Sequence, residues 1–229
     1  MPDISSTSLR AGRRAFLGAG AALLVVAPSF SPAAAQSARP AAPAPDAARS
    51  GKVAHAAATL RDLWVDHIFW IRAVAVAALG KNDAAQDAAE RQVLANAANI
   101  AASVQPFYGE PAKEAFSGLL QAHYGAVKAY LLAASGSDVN AQNNANQQLI
   151  ANADDIAAFL SGANSDLNKA TLRGMLETHG GHHVLQIQLL KDQKYDAEAQ
   201  TWADMKAHVH LIADATADAL SKQFPDKFG

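Results

Sequence analysis

The 229-residue chain contains no cysteine, and this absence is its most restrictive feature. A chain without thiols has no disulfide framework, no thiolate zinc site, no cysteine nucleophile and no cysteine-ligated iron–sulfur cluster. Aromatic residues are also scarce, at 7%. They leave few anchors for a protein interface, so no protein partner can be named, although the composition is compatible with a homo-oligomer. The formal net charge of −2 lacks the basic excess typical of a nucleic-acid binder, so we expect no nucleic-acid partner.

Alanine dominates the composition instead, with 55 residues in the chain. Because alanine is the best helix former and a poor strand former, this composition predicts an all-α fold. Apolar residues recur at helical spacing, and clusters of Gly, Pro and Asn separate six predicted helices. The predicted helices cover about residues 60–78, 84–104, 111–134, 139–160, 168–191 and 197–223.

The N-terminal segment has the pattern of a twin-arginine export signal. Arg13 and Arg14 precede an apolar stretch at 19–27, which is too short to cross a bilayer as a helix. Small residues follow at 33–35, so we expect residues 1–35 to be a signal peptide cleaved after Ala35. Residues 36–52 then predict an Ala/Pro-rich tether, and residues 53–229 a helical bundle domain. We therefore expect an exported protein, periplasmic or secreted, whose mature chain has no transmembrane span.

The predicted helices repeat with a period of 56 residues. His67, His123 and His179 are separated by this interval, and in the alternate helices isoleucine recurs at the same interval, at 100, 156 and 212. We interpret the pattern as three helical hairpins, each unable to bury its apolar stripe alone, packed into one six-helix bundle. The alternative is an accidental match within an alanine-rich sequence.

Histidine is the residue type that offers metal chemistry in this chain. The three repeated histidines lie on the apolar stripes of their helices, and His183 shares a face with His179 one turn later. A lone histidine on such a face is usually a hydrogen-bonded core residue, but one per hairpin at a common register indicates a shared site. Hairpins packed around a threefold axis would bring the imidazoles together, whereas a linear stack would separate them by about 10 Å or more.

The candidate metal ligands are therefore His67, His123, His179 and His183, and imidazole ligands suit zinc, copper or iron. Three further residues occupy one register of the alternate helices and are predicted to orient the imidazoles through their other ring nitrogens. These are Asn96, Asn152 and His208. No catalytic or organic-cofactor-binding residue is assigned, because the sequence has no glycine-rich phosphate loop, no nucleophile elbow and no Glu-x-x-His motif.

Five segments carry a resemblance to a known family. They are WVDH at 64–67, PFYG at 106–109, LLQAH at 119–123, NADDIA at 152–157 and QFPDKF at 223–228. Through them, residues 60–228 resemble a bacterial family of small helical proteins of unestablished function, whose members often carry a glycosyltransferase label. The resemblance implies that the aromatic residues of the last segment close one end of the bundle.

Three functions are compatible with the sequence. The first is an exported, non-enzymatic helical bundle that binds a transition metal through its inner histidines. The second is a structural or stress-related module without a cofactor, in which those histidines are only hydrogen-bonded. The third is an enzyme such as the labelled glycosyltransferase, which the lack of a nucleotide-binding α/β pattern disfavours.

Overall fold

The computed structural model describes residues 51–228, and these residues are all-α, with no strand among them. The all-α prediction is confirmed. The elements are α1 (Gly51–Leu79), α2 (Asp83–Ala102), α3 (Gln105–Tyr108), α4 (Glu110–Ser135), α5 (Val139–Ala163), α6 (Lys169–Lys191), α7 (Tyr195–Gln223) and α8 (Pro225–Phe228). The predicted signal peptide and all but the last two residues of the predicted tether lie outside the described residues. α1 begins at Gly51, two residues before the predicted domain boundary.

Six of these helices are long, and each packs against the next long helix along the chain. The last of them, α7, packs against α1, so the series returns to its beginning. Helices α1, α4 and α6 also contact one another. These three therefore lie inside, while α2, α5 and α7 each pack across a pair of them. The helices α3 and α8 are single turns that the periodicity did not predict.

The turns after α1, α4 and α6 have a common geometry. Each contains one residue with a left-handed backbone, namely Lys81, Ser137 and Gln193, with φ of 56°, 58° and 58°. Such a residue lets the chain leave a helix and reverse direction within a few residues. In the first two turns the next residue, Asn82 or Asp138, accepts a hydrogen bond from the backbone three residues later and caps the following helix.

One end of the bundle is closed by aromatic rings. Phe107 stacks on Phe228 with centroids 5.8 Å apart, and Tyr108 meets Phe224 edge to face at 5.3 Å. The Tyr108 hydroxyl donates to Gln223 Oε1 at 2.7 Å. The two single-turn helices thus hold the C-terminal segment against the α2–α4 connection, because each of them supplies rings to this contact.

The hydrophobic core has two parts along the bundle. One cluster includes Trp64, Leu120 and Leu176, and the other includes Ile71 and Val127. His67 lies in sequence between Trp64 of the first cluster and Ile71 of the second, and His123 lies between Leu120 and Val127. The core is therefore apolar on both sides of a layer of imidazole rings.

A pair of isoleucines on α5 tests this division between core and surface. Ile156 is 3% exposed and Ile150 is 41% exposed. Ile156→Ala should lower the free energy of unfolding by about 2–5 kcal/mol, because it removes buried methyl groups and leaves a cavity. Ile150→Ala should change it by less than about 0.5 kcal/mol. Guanidinium denaturation of both variants measures the difference, and equal losses would contradict the packing of α5.

Candidate metal centre

Four histidines lie together in the interior of the bundle. His67 comes from α1, His123 from α4, and His179 and His183 from α6. Their exposed fractions are 1%, 6%, 1% and 1%. All three inner helices therefore contribute, and α6 contributes twice because its two histidines are four residues apart on one face.

The rings of His67, His123 and His179 form a nearly equilateral triangle. Their centroids are 5.7, 5.6 and 5.5 Å apart. His183 lies 5.8, 5.9 and 4.5 Å from the same three centroids in that order. The sequence left open whether these histidines converge, and the structure brings them together. The separation of 10 Å or more expected for a linear stack is not observed.

One ring nitrogen from each histidine lies within 4.8 Å of those from the other three. A tetrahedral ion with ligand distances of about 2 Å places neighbouring nitrogens roughly 3.3 Å apart. Each nitrogen would therefore move inward by less than about 1 Å to bind a common ion. Small changes of side-chain torsion are enough for such a movement, so the four histidines form a group that can hold a metal ion.

The hydrogen bonds around His123 fix its protonated nitrogen. His123 Nδ1 lies 3.2 Å from Asn152 Oδ1, and the Asn152 amide nitrogen donates to the Leu119 carbonyl at 3.0 Å. Because an amide oxygen only accepts, Nδ1 of His123 carries the hydrogen and donates it. The lone pair is then on Nε2, which has no hydrogen-bond partner among the described residues. This is the arrangement of a metal-ligating histidine, in which one nitrogen is held and the other binds.

The other three histidines have fewer partners within residues 51–228. Neither ring nitrogen of His67 has a hydrogen-bond partner. His179 and His183 approach each other through their Nε2 atoms at 3.2 Å, and their Nδ1 atoms have no partner. Buried polar atoms are hydrogen-bonded in the great majority of proteins. Ring nitrogens without a partner are therefore unusual, and here they are concentrated in one group of histidines.

The three residues predicted to orient the imidazoles share one contact with the inner helices. Asn96 and Asn152 donate to the carbonyls of Leu63 and Leu119, at 2.9 and 3.0 Å, and His208 Nε2 donates to Met175 at 2.8 Å. In each case the partners are 33 residues apart in the chain.

Their contacts with the candidate ligands differ. Asn152 Oδ1 accepts a hydrogen bond from His123 Nδ1. Asn96 Oδ1 is buried without a partner. His208 lies beside the ring of His182, with centroids 5.4 Å apart. An orienting role is therefore supported by a contact at Asn152 and stays a prediction at Asn96 and His208. Outside the cluster, His210 is partly exposed and His55 is exposed.

Burial keeps the four imidazoles neutral. Loss of hydration lowers the pKa of His67 from 6.5 to about 3, and nearby His123 adds to this effect. Desolvation lowers the pKa of His123 to about 4, and the Asn152 hydrogen bond opposes that shift. The pKa values of His179 and His183 are lowered well below 6.5, chiefly by desolvation and in addition by the neighbouring histidines. Their lone pairs are therefore available at neutral pH.

Sequence reasoning missed a partly buried ion pair that joins α1 to α7. Arg72 donates two hydrogen bonds to Glu198, at 2.6 and 2.8 Å, and Gln186 donates a third at 2.8 Å. The Arg72 guanidinium holds the pKa of the Glu198 carboxyl below its usual range. Arg72 lies five residues after His67, and Lys128 five residues after His123, where it pairs with Glu90 at 2.7 Å. The recurrence of a basic residue five positions after a histidine was the sequence pattern that could have indicated these ion pairs.

Comparisons with known proteins give no relative: no family model, no curated protein and no solved structure matches the chain. None of the helices within the described range is long and apolar enough to cross a membrane.

The neutral histidines predict how the stability of metal-free protein depends on pH. In the unfolded chain each histidine has an ordinary pKa near 6.5, so below that pH the unfolded state binds protons that the folded state excludes. Stability is thus fully present above about pH 6.5 and falls as the pH decreases toward 4. The slope approaches about 1.4 kcal/mol per pH unit for each buried histidine.

Urea denaturation of chelator-treated protein between pH 7.5 and 4.5 measures this slope. The comparison protein is His183→Val, which places at 183 the residue type found 56 positions earlier, at 127. With one buried histidine fewer, its stability should fall less steeply between pH 6.5 and 4.5. Equal slopes in the two proteins would show that His183 is protonated in the folded state.

Proposed function

We propose that the protein is an exported, non-enzymatic helical bundle that holds one transition-metal ion through His67, His123, His179 and His183. The observation that carries the proposal is the group of four buried ring nitrogens within 4.8 Å of one another. Imidazole suits zinc, copper and iron, so the ion belongs to this set. An ion among the rings would bind one lone pair from each of the four histidines, including that of His123 Nε2, which has no protein partner.

Burial favours a resident ion over a reaction centre. A catalytic metal keeps one coordination position open to water or substrate, whereas a structural or stored ion has a complete protein shell. Here four protein ligands are offered, and each is at most 6% exposed. A substrate would have to displace core side chains to reach an ion at this position.

We also infer that three hairpins related by the 56-residue repeat build the site. Three observations support this inference. The left-handed residues at 81, 137 and 193 are spaced by the period. The hydrogen bonds from 96, 152 and 208 reach carbonyls at 63, 119 and 175, which are spaced in the same way. The triangle of histidines joins equivalent positions of the three inner helices. Approximate threefold packing explains all of these together.

Export by the twin-arginine route rests on the sequence at 12–17 and on the apolar stretch that follows it. This route carries proteins that have already folded, in some cases with a cofactor bound. A periplasmic or secreted protein that holds a buried ion fits such a route. We propose this localisation as part of the function.

One contact favours the alternative of a cofactor-free module. His179 and His183 lie at hydrogen-bond distance through their Nε2 atoms, which lets the two rings satisfy each other without an ion. In that case the bundle would be equally stable with and without metal.

Purified mature protein should bind about one metal ion per chain. His123→Ala should lose this ion, because it removes a ligand from the triangle, and His210→Ala should keep it, because His210 lies outside the cluster. At a hundredfold excess of free metal over Kd, binding should stabilise the wild type by about 2.7 kcal/mol. This corresponds to a rise in Tm of roughly 5–10 °C for a chain of this size.

Elemental analysis measures the bound metal per chain. Thermal melting with zinc, copper and iron, before and after chelation, measures the shift in Tm. Absence of both bound metal and a melting shift in the wild type would refute metal binding and support the cofactor-free module. A bound ion that survives His123→Ala at full stoichiometry would place the metal elsewhere in the chain.

Asn152 offers a second test, which addresses orientation rather than ligation. Asn152→Ala removes the acceptor that holds the His123 Nδ1 hydrogen. Loss of such a partner usually weakens metal binding by about 10- to 100-fold while the ligands remain. We expect that loss in competition titrations, with one ion still bound at saturation. Unchanged affinity would mean that Asn152 only supports the backbone at Leu119.

A further inference from the structure

The four histidines are arranged as a tetrahedron. Of the six distances between ring centroids, five lie between 5.5 and 5.9 Å and one is 4.5 Å. Four rings at the corners of a square would have two diagonals about 1.4 times as long as the sides, and no such pair is present here. Copper(II) and nickel(II) prefer a square-planar or tetragonal set of nitrogen ligands. The arrangement therefore favours an ion without that preference, such as zinc(II) or copper(I).

The donor set is electrically neutral. The candidate group contains histidines only, and no aspartate or glutamate of the described residues belongs to it. Four neutral imidazoles leave the full charge of the ion uncompensated. By contrast, thiolate and carboxylate ligands remove part of the charge of a divalent ion.

Among residues 51–228, no carboxylate is a hydrogen-bonding or charged partner of the four rings. Trp64 packs edge to face against both His67 and His179, with centroids 5.7 Å apart. Leu120 and Leu176 are in the same apolar cluster as Trp64. The buried carboxylate of Glu198 is already bound by Arg72 through two hydrogen bonds.

The cost of burying an ion rises with the square of its charge, because the lost hydration energy has that dependence. A divalent ion in this apolar position therefore loses about four times the hydration energy of a monovalent ion of similar size. Among the ions that accept four imidazoles in a tetrahedron, copper(I) is monovalent and zinc(II) is divalent. The tetrahedral geometry suits both copper(I) and zinc(II), and the cost of burying their charge distinguishes them.

We propose that the four-histidine site selects copper(I) over zinc(II) and copper(II), because it offers a closed tetrahedral shell of neutral ligands in an apolar core. This inference rests on the proposed metal-binding function and specifies its ion. No step of oxidation or reduction is involved, since copper is bound in the state in which it is supplied.

Anaerobic competition titrations of the purified, metal-free mature protein test the selection. Copper(I) is titrated against a chromogenic copper(I) chelator, and zinc(II) against a chromogenic zinc chelator, both at pH 7. We expect one copper(I) per chain, bound at least tenfold more tightly than zinc(II). Zinc(II) or aerobically added copper(II) bound as tightly as copper(I), or more tightly, would overturn the copper(I) inference and leave the metal-binding function standing. Binding of none of these ions would refute both.

His183→Asp tests the charge argument directly. The variant replaces one neutral ligand with a carboxylate on the same turn of α6. The ratio of zinc(II) affinity to copper(I) affinity should rise at least tenfold, because the carboxylate offsets part of the divalent charge. The matched control is His182→Asp, whose position adjoins 183 but whose native ring faces His208. An unchanged ratio in a folded His183→Asp protein, judged by circular dichroism, would overturn the proposal.

Discussion

Neutral imidazole is the condition on which the centre of this bundle depends. The rings of His67, His123 and His179 are 5.5–5.7 Å apart in an apolar core, so two protonated rings would repel each other where water cannot screen them. Burial resolves this by excluding the protons. Each neutral ring keeps one lone pair, and one ring nitrogen from each of the four histidines lies within 4.8 Å of the others, so the group suits a component that accepts several lone pairs at once. A metal ion is such a component, and it binds neutral imidazoles without first displacing protons from their lone pairs.

Alanine makes the dense packing around this layer possible. Ala101, Ala157 and Ala213, on the three outer helices, are each 0% exposed. The distance between packed helices depends on the side chains at their contact, and alanine permits the closest approach apart from glycine. The 56-residue spacing of these alanines places small side chains at equivalent positions of α2, α5 and α7. The abundance of alanine therefore serves both helix formation and the closeness of the outer helices to the inner ones.

The parts of the structure that sequence predicts are those set by local periodicity. The long helices and the burial of His67, His123 and His179 follow from apolar spacing within single segments. Convergence of the histidines depends on whether α7 packs back against α1, and a periodic pattern carries no information about that closure. The pair between Arg72 and Glu198 joins residues 126 positions apart, so its partners are chosen by packing alone. The short helices α3 and α8 are too brief to produce a period.

The ligands come from helices that are far apart in the chain, so the site forms only as the chain folds. His67 and His183 belong to helices α1 and α6, so the ligand group exists only after distant parts of the chain have packed. Metal binding is then coupled to folding, and a buried ion enters most readily while the bundle assembles. If the chain folds before export, as the proposed twin-arginine route requires, the ion is acquired in the cytoplasm. That compartment is reducing, and copper there is present as copper(I). The proposed compartment of folding favours copper(I) over copper(II), and the neutral tetrahedral shell favours the same ion for an independent reason.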